Sequence, residues 1–531
     1  MAAWWQGAVV YQIYPRSFLD TNGDGIGDLA GIERRLDHVA RLGADAIWLS
    51  PIYPSPNRDF GYDVADFCAI APEMGTLDGF DRLLGAAHAR GLRVILDQVL
   101  SHTSDQHPWF QESTASRDNP KADWYVWAEP REDGTPPNNW LGAFGGAAWS
   151  WSPRRRQYYF HKFLKSQPKL NFLQPAVVAA VLDVLRFWLD RGVDGFRLDV
   201  ANSFLHDPSL ADNPPVPMAE RTAQDWGHPP RLQQHLHDAN RPENVTALAA
   251  IRDVIDRYDD RFVFGEFSEA PELFGHFAGA PDRLHSGYTF DFLLASRLEP
   301  RLVRDYFDHV LAPHPALFPC LTFSNHDVAR PVTRFGGGEG DDALAKLLLT
   351  LLLTLRGTPL LYQGEELGLP EVDLDRAWIK DPVGDLYFPW SKGRDGCRTP
   401  MPWTVAEHEA GFTEGTPWLP IPSSHRLRAV AAQDDDANSV LHHARRVIAL
   451  RKAHGVLATG AIEFLDLPAP LLGFRRGDGA QSLLCLFNLG TGETGAAVPD
   501  RVGPPLLTLG AVSGAAGQWQ LGGRSAVVLG P

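Results

Sequence analysis

The stretch "AVVAAVLDVLRFWLDRGVDGFRLDVAN", residues 176–202, shows the unit from which the fold is built. Gly192 divides it into a helical pattern, which that glycine ends, and the apolar run "GFRLDV", which predicts a buried strand. The strand ends at Asp199, two residues after Arg197, so an ion pair stands where a buried segment ends. The helical half has two neighbouring apolar columns, typical of an amphipathic helix: Val177, Val181, Val184 and Trp188, and Val178, Leu182, Leu185 and Leu189.

Short apolar runs of this kind alternate with longer helical patterns along the chain. Parallel strands alternating with helices over roughly 450 residues predict an α/β fold, a (β/α)8 TIM barrel. A doubly wound open sheet is the second choice, because no glycine-rich phosphate loop follows the first strand. The eight runs begin at Ala8, Ala46, Arg93, Gly195, Phe262, Tyr288, Leu321 and Leu360.

Two long connections between strands and a change in hydrophobic pattern near the C-terminus predict further domains. We assign residues 1–102 and 175–456 to the barrel, with a long insertion after the eighth strand at about 367–437. Residues 103–174, rich in Trp, Pro, Asn and Gly, form an inserted domain after the third strand. Short alternating runs over 457–531 predict a C-terminal antiparallel β-domain, a β-sandwich.

Charge and cysteine content exclude several classes of function. Lys and Arg total 49 against 65 for Asp and Glu, and the formal charge of −16 disfavours nucleic acid and membrane surfaces as partners. Four cysteines without CxxC spacing argue against a disulfide framework and a zinc site. The N-terminal segment lacks the features of a secretory signal, which predicts a cytoplasmic protein.

Polar side chains stand at the ends of four predicted strands. Since active sites of such barrels lie at the C-terminal face, these residues predict a catalytic centre rather than separate caps or surface ion pairs. Two acids on neighbouring strands, without a metal cluster, suit cleavage of a glycosidic bond. Arg197 should favour the ionised form of Asp199, and the apolar stretch around Glu266 its protonated form. The strand-end residues are Asp97 with His102, Asp199, Glu266, and His326 with Asp327.

The segments "GFRLDVAN", "FGEF", "FSNHD" and "DQVLSH" resemble the signature segments of the α-amylase superfamily of retaining glycoside hydrolases. With "YQIYPRSF", "GYDVADF", "LLYQGEELGL" and "GRDGCRTPMPW", the chain resembles the α-glucosidase and oligo-1,6-glucosidase branch from about Trp4 to its C-terminus. The resemblance implies that Asp199 is the nucleophile and Glu266 the general acid/base. It also implies that Asp327 holds and distorts the sugar ring.

The resemblance implies further contacts with the terminal glucose. Arg197, His102 and His326 would line the same subsite. Asp63 of "GYD" and Arg398 of "RTPM" would clamp the sugar hydroxyls and make the enzyme exo-acting. Three aromatic residues near the predicted mouth are candidate platforms for sugar rings: Tyr62, Phe144 and Phe163.

The chain departs from the family pattern in ways that leave the linkage preference open. Ser101 stands where Asn usually precedes the histidine, and Lys169 replaces Asp in "QPKLN", so we expect altered loop support but unchanged chemistry. In the branch that the chain resembles, Val at the position after the nucleophile, here Val200, goes with a preference for α-1,6 bonds. The insert "DGTPPNNW" instead resembles α-1,4-acting bacterial α-glucosidases that also transfer glucose to alcohols.

The stretch "DTNGDGIGD", from Asp20, predicts a structural site for a hard cation, Ca²⁺ or Mg²⁺. The spacing resembles that of an EF-hand loop, but Gly31 stands where an EF-hand has a bidentate Glu. The first loop of the α-amylase family, which binds an ion, is therefore the better model for this site. A metal-free turn rich in Asp and Asn is the alternative. The predicted ligands are Asp20, Asn22, Asp24, Asp28 and the carbonyl of Ile26.

These observations together predict an exo-acting retaining α-glucosidase that releases or transfers terminal α-linked glucose from short malto- or isomalto-oligosaccharides. Its partners would be a small oligosaccharide and an alcohol or sugar acceptor, with no organic cofactor. The close alternative is a transglucosylase or sugar isomerase on the same scaffold. An alternative of another class is a non-catalytic barrel relative, disfavoured because the acids are present.

Overall fold

A parallel barrel forms the centre of the molecule in a computed structural model, which describes residues 3–221, 229–268, 271–336, 341–498, 503–515 and 517–531. All eight predicted strands are present, and the sixth and eighth begin two residues earlier than predicted, at Ser286 and Thr358. The strands, β1 to β8 in chain order, are Val10–Ile13, Ala46–Leu49, Arg93–Gln98, Gly195–Leu198, Phe262–Phe267, Ser286–Thr289, Cys320–Leu321 and Thr358–Tyr362.

The barrel sheet is parallel and nearly closed. Its strand order is β7-β8-β1-β2-β3-β4-β5-β6. Between β6 and β7 the Ser286 hydroxyl donates to the carbonyl of Phe318 at 2.6 Å and lies 3.4 Å from Cys320 Sγ. The two edge strands are therefore neighbours, and the predicted (β/α)8 TIM barrel is confirmed.

Helices follow most of the strands and cover the barrel. Helix Pro175–Asp190 buries the predicted column of Val177, Val181, Val184 and Trp188, and Gly192 follows it with a φ of 96°. No helix in the described part of the chain is long and apolar enough to cross a membrane. The longer helices are Leu29–Leu42, Leu77–His88, Pro175–Asp190, Val245–Ile255, Asp342–Thr354 and Val440–Ala453. Shorter ones include Pro108–Ser113, Pro300–Asp305, Pro331–Arg334, Pro382–Tyr387, Val430–Asp434 and Gly455–Thr459.

Two β-rich parts accompany the barrel, as predicted. The connection after β3 contains a small antiparallel sheet, and the C-terminal part contains a five-stranded and a three-stranded antiparallel sheet. The residue boundaries given for these domains stay predictions. The small sheet is formed by Trp127–Ala128, Gln157–Phe160 and Trp149–Ser152. The C-terminal strands are Ile462–Phe464, Leu471–Arg476, Leu483–Asn488, Thr494–Ala497, Pro505–Leu509, Val512–Ala515, Gln518–Leu521 and Ser525–Leu529.

Two buried arginines join the end of helix Asp342–Thr354 to the parts of the chain that follow it. Arg451 donates through Nη1 to the carbonyl of Leu353 at 2.7 Å. Arg476, from the C-terminal sheet, donates to the carbonyl of Thr354. Burial lowers the pKa of each guanidinium to about 9. The unpaired carbonyls at the end of this helix are thus satisfied by side chains that come later in the sequence.

Candidate active site

A cavity of about 430 Å³ opens at the C-terminal ends of the barrel strands. Asp199 directly follows β4, Glu266 is the penultimate residue of β5, and Asp327 lies in the loop after β7. The two long insertions and the loops after β2, β4, β5 and β6 supply the remaining walls. The sequence-predicted residues in the lining are Tyr62, His102, Phe144, Phe163, Asp199, Val200, Glu266 and Asp327. The other lining residues are Asp59, Ala143, Arg231, Ser268, Phe290, Val383, Ser391, Gly393 and Arg394.

Arg197 is a fully buried cation beneath this cavity that holds three carboxylates. Its Nη1 lies 2.8 Å from Oδ1 of Asp199 and 2.8 Å from Oδ1 of Asp97. Its Nη2 lies 2.8 Å from Oε2 of Glu266. Several carboxylates cannot share a buried site without a compensating cation, because each disfavours the ionisation of the others. The ion pair at the end of β4 is therefore the centre of the acidic cluster.

The two proposed catalytic carboxylates have polar surroundings. Burial raises the pKa of Asp199 well above its ordinary value, Arg197 opposes this, and the charges of Glu266 and Asp97 add to it. Glu266 accepts hydrogen bonds from the Val200 amide at 3.0 Å and from a tyrosine hydroxyl on β6 at 3.2 Å. Arg197 is thus shared rather than reserved for Asp199, and the expected apolar surroundings of Glu266 are not found.

The Val200 amide reaches Glu266 because the backbone turns sharply after β4. Val200 has a φ of 38° and a ψ of 50°, the left-handed region that β-branched residues rarely adopt. Such strain persists only where the surrounding structure enforces it, and it is concentrated at functional sites. Here the turn aligns an N–H group with the carboxylate of the neighbouring strand.

Asp327 is the most strongly paired of the cavity carboxylates. Its Oδ1 accepts from Arg394 Nη1 at 3.0 Å and from Arg398 Nη2 at 3.1 Å, and its Oδ2 lies 3.2 Å from His326 Nε2. Burial alone would raise the pKa of Asp327, but His326 and the two guanidinium groups hold it below its ordinary value. Asp327 is therefore ionised at neutral pH.

Two neutral histidines support the cavity floor. The His326 ring is stacked between Tyr14, at 5.7 Å between centroids, and Tyr62, at 5.1 Å. His102 donates through Nε2 to the Tyr62 carbonyl at 2.9 Å, and its Nδ1 accepts from the Ser101 hydroxyl at 2.7 Å. Burial lowers the pKa of each imidazole to about 3. Both rings therefore act as fixed hydrogen-bonding groups rather than as cations at neutral pH.

Lys169, the other departure from the family pattern, is buried where the inserted domain meets the barrel. Its Nζ donates to the carbonyls of Ser101, at 3.3 Å, and Phe204, at 3.1 Å. Burial, together with the nearby charge of Lys162, lowers the pKa of this ammonium to about 7. Ser101 and Lys169 thus supply the altered loop support around His102.

The structure places Asp59, not Asp63, in the cavity. Asp63 is buried inside its own loop, where its carboxylate accepts from the Ser55 hydroxyl at 2.7 Å and from the amides of Arg58 and Asp59 at 3.0 and 3.1 Å. Its acceptor capacity is used to fold the loop. Asp59 lines the cavity and pairs with Arg394 Nη2 at 2.8 Å.

Arg394 likewise takes the position expected for Arg398. Arg394 lines the cavity and reaches both Asp59 and Asp327. Arg398 lies behind Asp327, where its Nε donates to the carbonyl of His326 at 2.7 Å, and it is 1% exposed. Sequence reasoning therefore chose the supporting member of each pair, Asp63 and Arg398, and missed the residues that face the cavity.

The two long insertions meet over the closed end of the cavity. The guanidinium of Arg394 lies over the Phe144 ring, 5.0 Å from its centroid, and the Phe163 ring is 5.5 Å from that of Phe144. Gly145 has a φ of 96° and lies so close to the Tyr387 hydroxyl that a Cβ would not fit. The closed end therefore depends on a glycine at this contact.

The loop predicted to bind a cation is folded by its own hydrogen bonds. Asp20 accepts from three amides of the loop, including Gly25 N at 2.7 Å, and Asp28 caps helix Leu29–Leu42 through Gly31 N at 2.7 Å. No group of three or more His, Cys, Asp or Glu side chains among the described residues is arranged to hold a metal ion. The loop contains all five predicted ligands: Asp20, Asn22, Asp24, Ile26 and Asp28.

A (β/α)8 barrel with paired carboxylates at the C-terminal ends of neighbouring strands is the architecture of a glycoside-cleaving enzyme. The sequence matches the alpha-amylase catalytic domain over residues 12–460. A probable alpha-glucosidase from Rhizobium meliloti (strain 1021) is 53% identical over 492 residues, which cover 92% of this chain and 89% of the relative. An oligo-1,6-glucosidase from Parageobacillus thermoglucosidasius is 36% identical and covers 94% of this chain and 92% of the relative.

Solved structures agree with this family. The alpha-glucosyl transfer enzyme XgtA superposes with a TM-score of 0.96 at 48% sequence identity, over 100% of both chains. Trehalulose synthase MutB from Pseudomonas mesoacidophila MX-45 superposes with a TM-score of 0.89 at 31% identity, also over 100% of both chains. The chain therefore belongs to the alpha-amylase catalytic domain family, as its signature segments predict, and is a glycoside hydrolase.

Proposed function

We propose that this chain is an exo-acting retaining α-glucosidase that releases or transfers the terminal α-linked glucose of short malto- or isomalto-oligosaccharides. The observation that carries the proposal is the arrangement of Asp199 and Glu266, which face one cavity and share the guanidinium of Arg197. The cavity is closed at one end by the Asp59–Arg394 ion pair, which suits a single terminal sugar. The relatives that act on α-glucosides support the same substrate class.

The first chemical step forms a covalent intermediate. Asp199 and Glu266 share one cation, and in the reactive form the proton of the pair lies on Glu266. The Asp199 carboxylate then attacks the anomeric carbon of the terminal glucose, and the bond from that carbon to the leaving oxygen breaks. The proton of Glu266 passes to the leaving oxygen. In this step Tyr288, the Val200 amide and Arg197 hold the Glu266 carboxyl group in place.

The second step releases or transfers the glucose. The Glu266 carboxylate takes the proton of an incoming water, alcohol or sugar hydroxyl, whose oxygen attacks the anomeric carbon while the bond to Asp199 breaks. Water gives hydrolysis with retention, and another hydroxyl gives a new glucoside. Asp327 remains ionised beside the sugar and, together with Asp59 and Arg394, binds its hydroxyls.

Ca²⁺ or Mg²⁺ bound by the first loop is part of the proposal. The support is the set of oxygen donors at alternating positions, the ligand type that hard cations prefer. The ion would stabilise the loop and take no part in the chemistry. No organic cofactor is needed, since both steps use only carboxyl groups of the chain.

A transglucosylase or sugar isomerase is the second candidate. The similarity to an alpha-glucosyl transfer enzyme and to a trehalulose synthase favours it. Both candidates share the covalent intermediate on Asp199, and they differ only in the hydroxyl group that takes the glucose from it.

Product analysis tests the proposal and separates the candidates. The protein should be incubated with maltose, isomaltose or sucrose, with and without an alcohol, beside the Asp199→Asn variant as a blank. Hydrolysis predicts free glucose, released first as the α-anomer in early NMR spectra, and an alkyl glucoside when alcohol is present. A rearranged disaccharide as the main product from sucrose would favour the isomerase, and no product from any donor would refute the proposal.

A further inference from the structure

The insert "DGTPPNNW", residues 133–140, docks on the long loop after β4 through side-chain amides. Asn139 and Asn213 bond reciprocally: Asn139 Nδ2 donates to the Asn213 carbonyl at 2.9 Å, and the Asn213 amide donates to Asn139 Oδ1 at 2.8 Å. Gln233 joins them, since its Nε2 donates to the Asn139 carbonyl at 2.8 Å and its Oε1 accepts from the Leu141 amide at 3.2 Å. We call Asn139, Asn213 and Gln233 the amide clasp.

Neighbouring contacts keep the clasp in register. Asn138 donates to the carbonyl of Leu210 at 3.0 Å, and the Trp140 indole donates to the carbonyl of Ala211 at 2.8 Å. A buried ion pair between Lys162 and Asp238, at 3.2 Å, joins a later part of the connection after β3 to the same loop after β4. The insert and the loop after β4 are therefore fixed to each other over several residues.

The clasp lies next to two walls of the active-site cavity. Directly after the insert, Leu141 is two residues before Ala143, which lines the cavity. On the loop, Gln233 is two residues after Arg231, which also lines it. Arg231 is exposed, so this wall belongs to the open end, where a leaving group departs and an acceptor enters. The Gln233 side chain thus bridges the two walls directly beside the mouth.

We propose that the amide clasp determines acceptor selectivity by fixing the distance between the Ala143 and Arg231 walls. The proposal rests on the function proposed above and deepens it, since it concerns the second step at the same site. Asn139 and Gln233 are positioning residues, because they bond each other and Leu141 beside the walls and are not among the residues that line the cavity. An alcohol or sugar must be held between the walls to compete with water for the glucosyl group on Asp199, whereas water needs no such site.

Breaking the clasp should change how the covalent intermediate divides between transfer to the acceptor and hydrolysis. It should not change the rate at which the intermediate forms. Gln233→Leu keeps the size of the side chain and removes both hydrogen bonds. We expect the ratio of alkyl glucoside to free glucose, at fixed alcohol concentration, to fall by about threefold to tenfold, the factor that corresponds to one neutral hydrogen bond. The rate of release of a small activated leaving group, such as fluoride from α-glucosyl fluoride, should stay within about twofold of wild type.

Gln234→Leu is the matched control, because Gln234 is the next residue and its side-chain Nε2 donates to the carbonyl of Pro215, at 3.2 Å, and not to the insert. Its product ratio should equal that of wild type. Asn139→Ala gives a second disruption at an exposed position, which protects the test against a variant that does not fold.

The outcomes are distinguishable. An unchanged product ratio in both Gln233→Leu and Asn139→Ala, with fluoride release intact, would overturn the clasp proposal and leave the enzyme function standing. An equal fall in transfer, hydrolysis and fluoride release would also overturn it, because the clasp would then support the whole site. No turnover of any donor by the wild type would refute the proposed function itself.

Discussion

Arg197 contacts Glu266 through Nη2 at 2.8 Å while its Nη1 holds Asp199 at the same distance. One buried cation thus serves both carboxylates that we propose for bond cleavage. Replacing either acid by its amide keeps the shape of the side chain and removes the group that performs the chemistry, so the two substitutions separate chemistry from folding.

Glu266→Gln should lower turnover of maltose-like substrates by about 10² to 10⁴-fold, because the transferable proton is lost. With an activated aryl glucoside, a covalent glucosyl adduct on Asp199 should form and persist, since the base for the second step is also missing. Mass spectrometry after brief exposure detects the adduct. Asp199→Asn should give none, and an adduct on that variant would show that the carboxylates are wrongly assigned.

Asp59→Asn and Arg394→Leu should each lower kcat/KM by about 10 to 10²-fold, because a charged hydrogen bond to the terminal sugar is lost. Asp63→Asn is the matched comparison, since that carboxylate accepts only from its own loop. It should lower the free energy of unfolding by about 1 to 3 kcal/mol. Steady-state kinetics and denaturant unfolding check both. A larger kinetic loss in Asp63→Asn than in Asp59→Asn would restore the clamp predicted from sequence.

Gly145→Ala should displace Tyr387 and loosen the closed end of the cavity. We expect KM to rise by about threefold to tenfold, with a smaller change in kcat, because binding contacts are lost rather than the chemistry. Gly146→Ala is the control: Gly146 also has a positive φ, 75°, but no atom lies near the position of its Cβ. An equal rise in KM in both variants would show that backbone strain, and not the contact with Tyr387, causes the change.

Lys169→Met should flatten the pH dependence of stability. In the folded state the pKa of Lys169 is about 7, against 10.5 for the unperturbed side chain. Between these values the unfolded chain binds the additional proton, so the free energy of unfolding rises with pH, by at most about 1.4 kcal/mol per unit from this group. Denaturant unfolding of both proteins from pH 7 to 10 measures the difference. Parallel curves would show that Lys169 titrates normally.

A bound ion in the first loop should be visible as a stability effect. Chelator should lower the melting temperature by a few degrees, because an ion bound only to the folded state stabilises it by mass action. Adding Ca²⁺ or Mg²⁺ in excess should restore it, and Asp24→Ala should abolish the response. A melting temperature that chelator does not change would reject the ion.

The barrel was predictable because its signal is local. Each strand is a short apolar run between helical patterns, and the polar residues after it mark the C-terminal face, which placed Asp199, Glu266 and Asp327 in one cavity. The strand ends were less well located: β6 and β8 each begin two residues before the predicted Tyr288 and Leu360, and β7 has only two residues, Cys320–Leu321.

The choice between Asp59 and Asp63 was not available from the sequence. Both stand in "NRDFGYD", four residues apart, and either could face a sugar. The two differ in which carboxylate accepts hydrogen bonds from the N–H groups of the loop, and this depends on the folded conformation of the loop. The same holds for Arg394 and Arg398 in "GRDGCR": Arg394 lines the cavity and pairs with Asp59 and Asp327, whereas Arg398 lies behind Asp327 and also supports the carbonyl of His326.

Arg476 donates to the carbonyl of Thr354 from more than a hundred residues further along the chain. During synthesis the ribosome adds about 5 to 20 residues per second, and the N-terminal parts of a chain fold first. The barrel therefore emerges with all eight strands before the residue that completes the end of helix Asp342–Thr354 has been made. Until Arg476 has been made, the carbonyl of Thr354 lacks this donor, so the nascent barrel misses one contact that the folded protein has.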